Sequence, residues 1–247
     1  MKPAFTLTSP ETGTEYWIYV ESPDATSAPG PWPAVLFMDG DDQFKAAVAG
    51  YREARTAGTV APLLLVGVGY GASYMKPANR RGRDYTPVRH SDEPSSGGAD
   101  AFLQFLSLAL WPELGRRFPI DATRRGVAGH SLGSLLVLHA LFQPQPFFTH
   151  HLASAPSIWW ADRAMLRQVE KLRATQSALP AQLFLSIGEE DSESMTGDLS
   201  LLEKQLMAEP FSGLTIRSRR FPRLNHFNVL PAAFTAGLSA LWPASLR

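Results

Sequence analysis

Two short runs constrain this chain more than anything else in it. They are PAVLFMDG at 33–40 and PLLLVGVG at 62–69. Neither alternates apolar with polar, and both contain β-branched residues and end on turn-forming residues. Strands of this kind must be covered on both faces, which is the environment of a parallel sheet. Similar runs recur as RRGVAGHS at 124–131, HHLASAPS at 150–157, QLFLSIG at 182–188 and residues 213–221. Between them lie segments of helical composition or spacing: 42–57, 99–117, 132–142, 162–175, 196–208 and 227–242. This alternation predicts an α/β fold with a mostly parallel central sheet and helices on both faces. PAFTLT at 3–8 and EYWIYV at 15–20, around Pro10 and Gly13, predict an antiparallel hairpin at the start.

With 247 residues the chain can bury one large α/β core. No long Pro/Gly/Ser-rich linker divides it, so residues 1–247 are expected to form a single domain. In 99–117 the residues Ala99, Phe102, Leu103, Leu106, Leu110 and Leu114 recur three and four apart, and Pro112 should kink the helix or end its regular part. Residues 70–98 are long and polar, as in NRRGRDYTPVRH. This segment, 70–98, reads as an extended loop over one end of the sheet, where it would border any site formed there.

Composition excludes several classes. Lys and Arg number 23, as do Asp and Glu, which argues against a nucleic-acid binder. There is no cysteine, so disulfides, a thiol nucleophile and thiolate metal sites are ruled out. No apolar stretch approaches 18 residues, so no membrane span is expected. The first residues, MKPAFTLTSPETG, lack the apolar core of a secretion signal. The expectation is a soluble cytoplasmic protein.

Against this background the segment GVAGHSLGSLLVLHALF matters. Ser131 sits between Gly129 and Gly133, after a strand and before a helix. G-x-S-x-G alone arises by chance in roughly one chain in ten of this length, so its context must decide. At a strand-to-helix turn a serine can be held in a strained conformation that exposes its hydroxyl. The N–H of Leu132 would then open the helix where an oxyanion forms, aided by the helix dipole. A serine hydroxyl needs a base. In this arrangement the acid and then the histidine follow the serine in the chain. Asp191 lies just past the strand ending at Gly188, and His226 lies in the loop before the last helix. Glu189, Glu190 and Asp162 are alternative acids. A second oxyanion donor should follow an earlier strand, where Asp41, or less favourably Asp42, supplies an N–H.

Other residues have plainer readings. His139, His150 and His151 read as structural. Asp39-Gly40-Asp41-Asp42 is like a fragment of a calcium loop, but its glycine is misplaced and position 50 is Gly rather than the closing Glu, so no metal is expected. Arg80, Arg81 and Arg83 read either as a solvated run or as a site for anionic oxygens beside Tyr85. Trp159 and Trp160 read either as core or as a wall of the substrate pocket.

Seven segments carry a family resemblance: LFMDGDDQF, RGRDYTPV, GGADAFLQFLSLALWPEL, GVAGHSLGSLLVLHALFQ, ASAPSIWW, LFLSIGEED and LNHFNVLP. Together they span nearly the whole chain. They resemble the putative-esterase family of α/β-hydrolases, which includes enterochelin and ferric-siderophore esterases, feruloyl and acetyl-xylan esterases and the esterase D type. The siderophore-esterase branch is the nearest in pattern. The resemblance implies the α/β-hydrolase fold and a Ser131-Asp191-His226 set. The implied activity is hydrolysis of small-molecule esters, of siderophore, aromatic or hydroxy-acid type, through an acyl-serine without a cofactor. Arg83, Tyr85, Trp159 and Trp160 are the substrate-binding candidates. A thioesterase or serine peptidase on the same fold, or a catalytically silent binding protein, are the alternatives.

Overall fold

The computed structural model describes residues 1–244. It contains eight strands: β1 (Phe5–Thr8), β2 (Glu15–Glu21), β3 (Trp32–Phe37), β4 (Leu64–Gly69), β5 (Ile120–His130), β6 (His150–Ser154), β7 (Ala178–Gly188) and β8 (Ser212–Phe221). They form one sheet in the order β1-β2-β4-β3-β5-β6-β7-β8. β1 and β2 make the expected antiparallel hairpin, with Phe5 opposite Ile18 and Thr8 opposite Glu15. β2 joins β4 antiparallel, and every pairing from β4 to β8 is parallel.

The apolar runs are continuous because successive side chains serve opposite faces. Ala34, Leu36, Leu64, Val66 and Val127 enter one core. Their neighbours Val35, Phe37, Leu65 and Ala128 enter the other. The second core is closed by α1 (Phe44–Thr56) and α8 (Leu230–Leu241), through Phe44, Tyr51, Phe234 and Leu238. The first is closed chiefly by α5 (Leu132–Leu141), α6 (Trp160–Arg173), α7 (Glu193–Ala208) and the stretch from residue 99 to 117. α5 is buried nearly all round, so its polar His139 needs partners. Asp100 supplies one at 2.7 Å and Gln168 another at 2.8 Å.

Residues 99–117 are not one kinked α-helix. α3 (Ala99–Gln104) runs into a π-helical turn, Phe105–Leu110, and then into α4 (Trp111–Arg117). Pro112, which has no N–H to give to the preceding turn, therefore stands directly after the π-helical turn, in the first turn of α4. The 70–98 segment holds a short helix, α2 (Arg81–Asp84), and buries Asp84, Tyr85 and Thr86. Among the described residues no helix is long and apolar enough to cross a membrane.

Candidate active site

The turns at the C-terminal ends of the parallel strands β3, β5, β7 and β8 meet in one place, as open α/β sheets arrange their binding sites. β5 contributes Ser131. Its backbone has φ +60° and ψ −123°, a conformation that L-residues rarely adopt and that marks stored strain. The turn is held from several sides. Ser131 N–H donates to the Ser154 carbonyl at 3.0 Å, and the Ser131 carbonyl accepts from Ser134 and Leu135. Gly129 is required there, because a Cβ on it would lie 2.3 Å from the Gly133 carbonyl carbon. Leu132 is the first residue of α5, so its N–H has no acceptor within the helix.

β7 and β8 contribute the other two expected partners. His226 Nδ1 donates to Asp191 Oδ2 at 2.9 Å, since a carboxylate only accepts. That leaves Nε2 as the ring's acceptor. Asp191 is also held by the Ser192 N–H on Oδ1 at 2.8 Å. Its side chain is 3% exposed and that of His226 is 24% exposed. Glu189 and Glu190 are exposed, and the imidazole's carboxylate partner is Asp191. The Asp162 carboxylate is 92% exposed and is paired with Arg167 at 3.7 Å. Ser131 and His226 face the same cavities without a hydrogen bond between them, and Ser131 Oγ lies 3.5 Å from Ser157 Oγ. The ring of His130 packs on His226 with centroids 4.6 Å apart. Burial, and secondarily the charge of His226, pushes the His130 imidazole down to about 3, so it is a neutral wall of the site.

β3 contributes the turn Asp39–Gln43. Each of its carboxylates pins part of the 70–84 segment. Asp39 takes a two-pronged contact from Arg81 at 2.9 and 3.1 Å. Asp41 accepts from the N–H groups of Tyr70 and Gly71 and from the Tyr19 hydroxyl. Asp42 accepts from the Tyr74 N–H at 3.1 Å. The Asp42 N–H is itself donated to the Asp39 carbonyl, whereas among the described residues that of Asp41 has no acceptor. The resemblance of this run to a calcium loop is thus a loop clamp.

The four substrate-binding candidates separate. Trp159 lines the cavity and is 45% exposed. Tyr85 is fully buried and its hydroxyl accepts from the Asp39 N–H, so it supports the β3 turn and offers no face to a substrate. Trp160 is buried too, and its Nε1 donates to the Val88 carbonyl at 2.8 Å. Arg83 turns away to pair with buried Asp84 and to reach Thr12 and Thr14 of the hairpin. Arg81 is the arginine of the run that lines a second cavity, which shares Ser131 and His226 with the first, together with Tyr74 and Gln43. Sequence reasoning passed over Ser157, Met195 and Phe227, which line the Trp159 cavity. The position of Phe227 next to His226 was the one available signal.

The model of the family described as "Putative esterase" matches residues 9–209. The chain is 34% identical over 175 residues to a siderophore triacetylfusarinine C esterase of Aspergillus fumigatus, which covers 67% of this chain and 59% of that longer protein. It is 26% identical over 253 residues to a ferri-bacillibactin esterase of Bacillus subtilis, covering 94% of this chain and 86% of that one. The crystal structure of the BES protein from Bacillus cereus superposes with a TM-score of 0.82 at 28% identity, over 96% of this chain and 93% of that one. The chain therefore belongs to the "Putative esterase" family, carboxylic ester hydrolases built on the α/β-hydrolase fold.

Proposed function

We propose that Ser131, His226 and Asp191 act together as nucleophile, base and orienting acid in the hydrolysis of a siderophore-type ester. One observation carries the reading. A serine on a strained strand-to-helix turn opens into the same cavities as a histidine whose far nitrogen is fixed by a buried carboxylate. His226 Nε2 takes the Ser131 proton as Oγ attacks the ester carbonyl. The N–H groups of Leu132 and Asp41 receive the developing oxyanion, a contribution of about 100- to 1,000-fold for each donor. The tetrahedral intermediate collapses, and the alcohol leaves with the proton from Nε2. Water, deprotonated by the same nitrogen, then attacks the acyl-serine; the bond to Ser131 Oγ breaks, Oγ takes the proton back from Nε2, and the acid is freed. Asp191 holds the tautomer and stabilises the charged ring throughout. The siderophore assignment is supported by the relatives' activities, the reaction by the site.

Ser131→Ala tests the reading. With p-nitrophenyl acetate, turnover is expected to fall by several orders of magnitude while circular dichroism and melting temperature persist. Near wild-type turnover in the folded variant would overturn the mechanism. A wild-type protein that binds esters without hydrolysing them would favour the silent binding protein instead.

A further inference from the structure

Ser157 is 1% exposed and lines the Trp159 cavity beside Ser131 and His226. Among the described residues its hydroxyl has a single hydrogen-bond partner, Ser131 Oγ at 3.5 Å. Buried hydroxyls are normally hydrogen-bonded, and this one has only the Ser131 oxygen to turn to. Two serine oxygens face each other, and one proton can lie between them. The Ser131 proton is the one that His226 Nε2 removes. The Ser157 proton is therefore the one that points at Ser131 Oγ.

Backbone contacts hold the two serines in this arrangement. β6 ends at Ser154, whose carbonyl accepts from the Ser131 N–H, and the Ser157 N–H donates to the Ser131 carbonyl at 3.4 Å. Between Ser154 and Ser157 the chain turns at Ala155, which has φ +44°. That conformation crowds the Cβ of an L-residue. It is fixed by the Ala155 N–H on the Ser186 carbonyl of β7 at 2.7 Å, and by the Trp160 N–H on the Ser157 carbonyl at 3.2 Å. Non-glycine residues at positive φ thus stand on both sides of one contact, Ser131 on the β5 turn and Ala155 on the β6 turn. Such strain persists only where its surroundings over-determine it, and it clusters at active sites. The separation of 3.5 Å exceeds the usual hydroxyl–hydroxyl distance of about 2.7–2.8 Å. Contacts to a reacting oxygen commonly start long and tighten in the reacting complex.

We propose that Ser157 is a further catalytic residue, a hydrogen-bond donor to Ser131 Oγ in both halves of the reaction. It keeps its own proton throughout. In acylation the Oγ–H bond breaks towards His226 Nε2 while the bond from Oγ to the ester carbon forms, and the Ser157 hydroxyl bears on the negative charge that passes through Oγ. In deacylation the carbon–Oγ bond breaks and its electron pair returns to Oγ. Ser157 donates to that oxygen until Nε2 gives the proton back. One donor on the oxygen common to both steps changes both rates together. The inference rests on Ser131 being the nucleophile, and it fails separately from that reading.

The test compares wild type, Ser157→Ala, Ser157→Thr and Ser157→Val. Stopped-flow hydrolysis of p-nitrophenyl acetate separates the burst, which reports acylation, from the steady state, which reports deacylation. Inactivation by phenylmethylsulfonyl fluoride measures attack by Ser131 without any deacylation. Ser157→Ala should lower the acylation, deacylation and inactivation constants each by about 10- to 100-fold, the loss expected for a hydrogen bond to a charged oxygen. Because both halves slow together, KM should stay within about twofold, and melting temperature should persist. Thr and Val share a shape and differ in the hydroxyl, so Ser157→Thr should be faster than Ser157→Val by a similar factor whatever the added methyl does. A Ser157→Ala enzyme within about twofold of wild type in the three constants overturns the inference. So does a raised KM with unchanged kcat, which would assign Ser157 to substrate binding, or a Thr variant no faster than the Val variant. Mass spectrometry of the inactivated wild type reports on the nucleophile alone. A label on Ser131 together with a fast Ser157→Ala variant sinks only the role of Ser157, whereas no label on Ser131 sinks the serine mechanism and this inference with it.

Discussion

Gly188→Ala is the substitution with the most specific consequence for this site. Gly188 ends β7, three residues before Asp191, and the chain leading to His226 crosses directly over it. A Cβ at this position would lie 2.1 Å from the Leu224 carbonyl oxygen and 2.6 Å from its carbon. Ordinary contact begins near 3.4 Å, so the overlap is 3.4 − 2.1 = 1.3 Å. Both atoms belong to backbone, and no rotamer change relieves it. The 222–226 segment must lift by roughly 1 Å, which a well-packed protein resists at a cost of about 1–3 kcal/mol. The lift also stretches the hydrogen bond from the Glu190 N–H to the Leu224 carbonyl, now 2.9 Å. His226 lies two residues beyond Leu224, so the imidazole moves against both Asp191 and Ser131. A misplacement of that size costs on the order of 100-fold in rate. The assay is kcat/KM on p-nitrophenyl acetate, with thermal denaturation to confirm that the variant is folded at the assay temperature. Gly197→Ala in α7 is the control. Nothing lies within 4 Å of its added Cβ, and it should gain about 0.5–1 kcal/mol from helix propensity with unchanged turnover. A folded Gly188→Ala enzyme within twofold of wild type would refute the argument that this crossing sets the position of His226.

Three further outcomes are expected. Asp191→Asn should lower kcat by about 1,000- to 10,000-fold through the wrong imidazole tautomer, whereas Glu190→Gln should change it only a few-fold; the reverse order in steady-state kinetics would move the acid by one residue. Arg81→Ala should cost about 3–5 kcal/mol in urea denaturation, because it strands the buried Asp39 carboxylate, and adding Asp39→Asn should restore part of the loss; a fully stable single variant would contradict this. His151 is fully buried on β6 with neither ring nitrogen hydrogen-bonded, and burial pushes its imidazole down to about 3. The unfolded chain therefore takes up that proton first, so this stability is complete above about pH 6.5 and is lost as pH falls towards 3. His151→Leu should flatten the dependence of unfolding free energy on pH between 7 and 4, and an unchanged slope in urea titrations at each pH would exclude His151 as a source of it.

The sheet and its coverage were legible because they depend on local pattern. Unbroken apolar runs such as 33–38 have few ways to be buried, and their neighbours Val35 and Leu36 necessarily face opposite helical layers. The positions of Ser131, Asp191 and His226 were legible for a related reason. Each lies in a turn at the C-terminal end of a parallel strand, and strands in one sheet bring those ends together whatever the loops between them do. The π-helical turn at Phe105–Leu110 was not legible, since an apolar spacing of three and four suits both an α-helix and a helix that widens for one turn.

Side-chain direction within the 70–98 segment required the tertiary structure. Arg81 and Arg83 are two residues apart, and in the short helix α2 that spacing sends them to different sides. One meets Asp39, 42 residues earlier, and the other meets Asp84 and the hairpin. Tyr85 and Trp160 have the composition of a pocket wall, yet their hydroxyl and indole N–H are consumed by Asp39 and Val88. Trp159 and Phe227 differ from them in nothing that composition records. The places of Ser131, Asp191 and His226 at strand ends were determined by the sequence, because strand ends and glycine turns are local. Which arginine and which aromatics face Ser131 was decided by long-range hydrogen bonds, because a polar group on a buried side chain must find its partner wherever the fold supplies one.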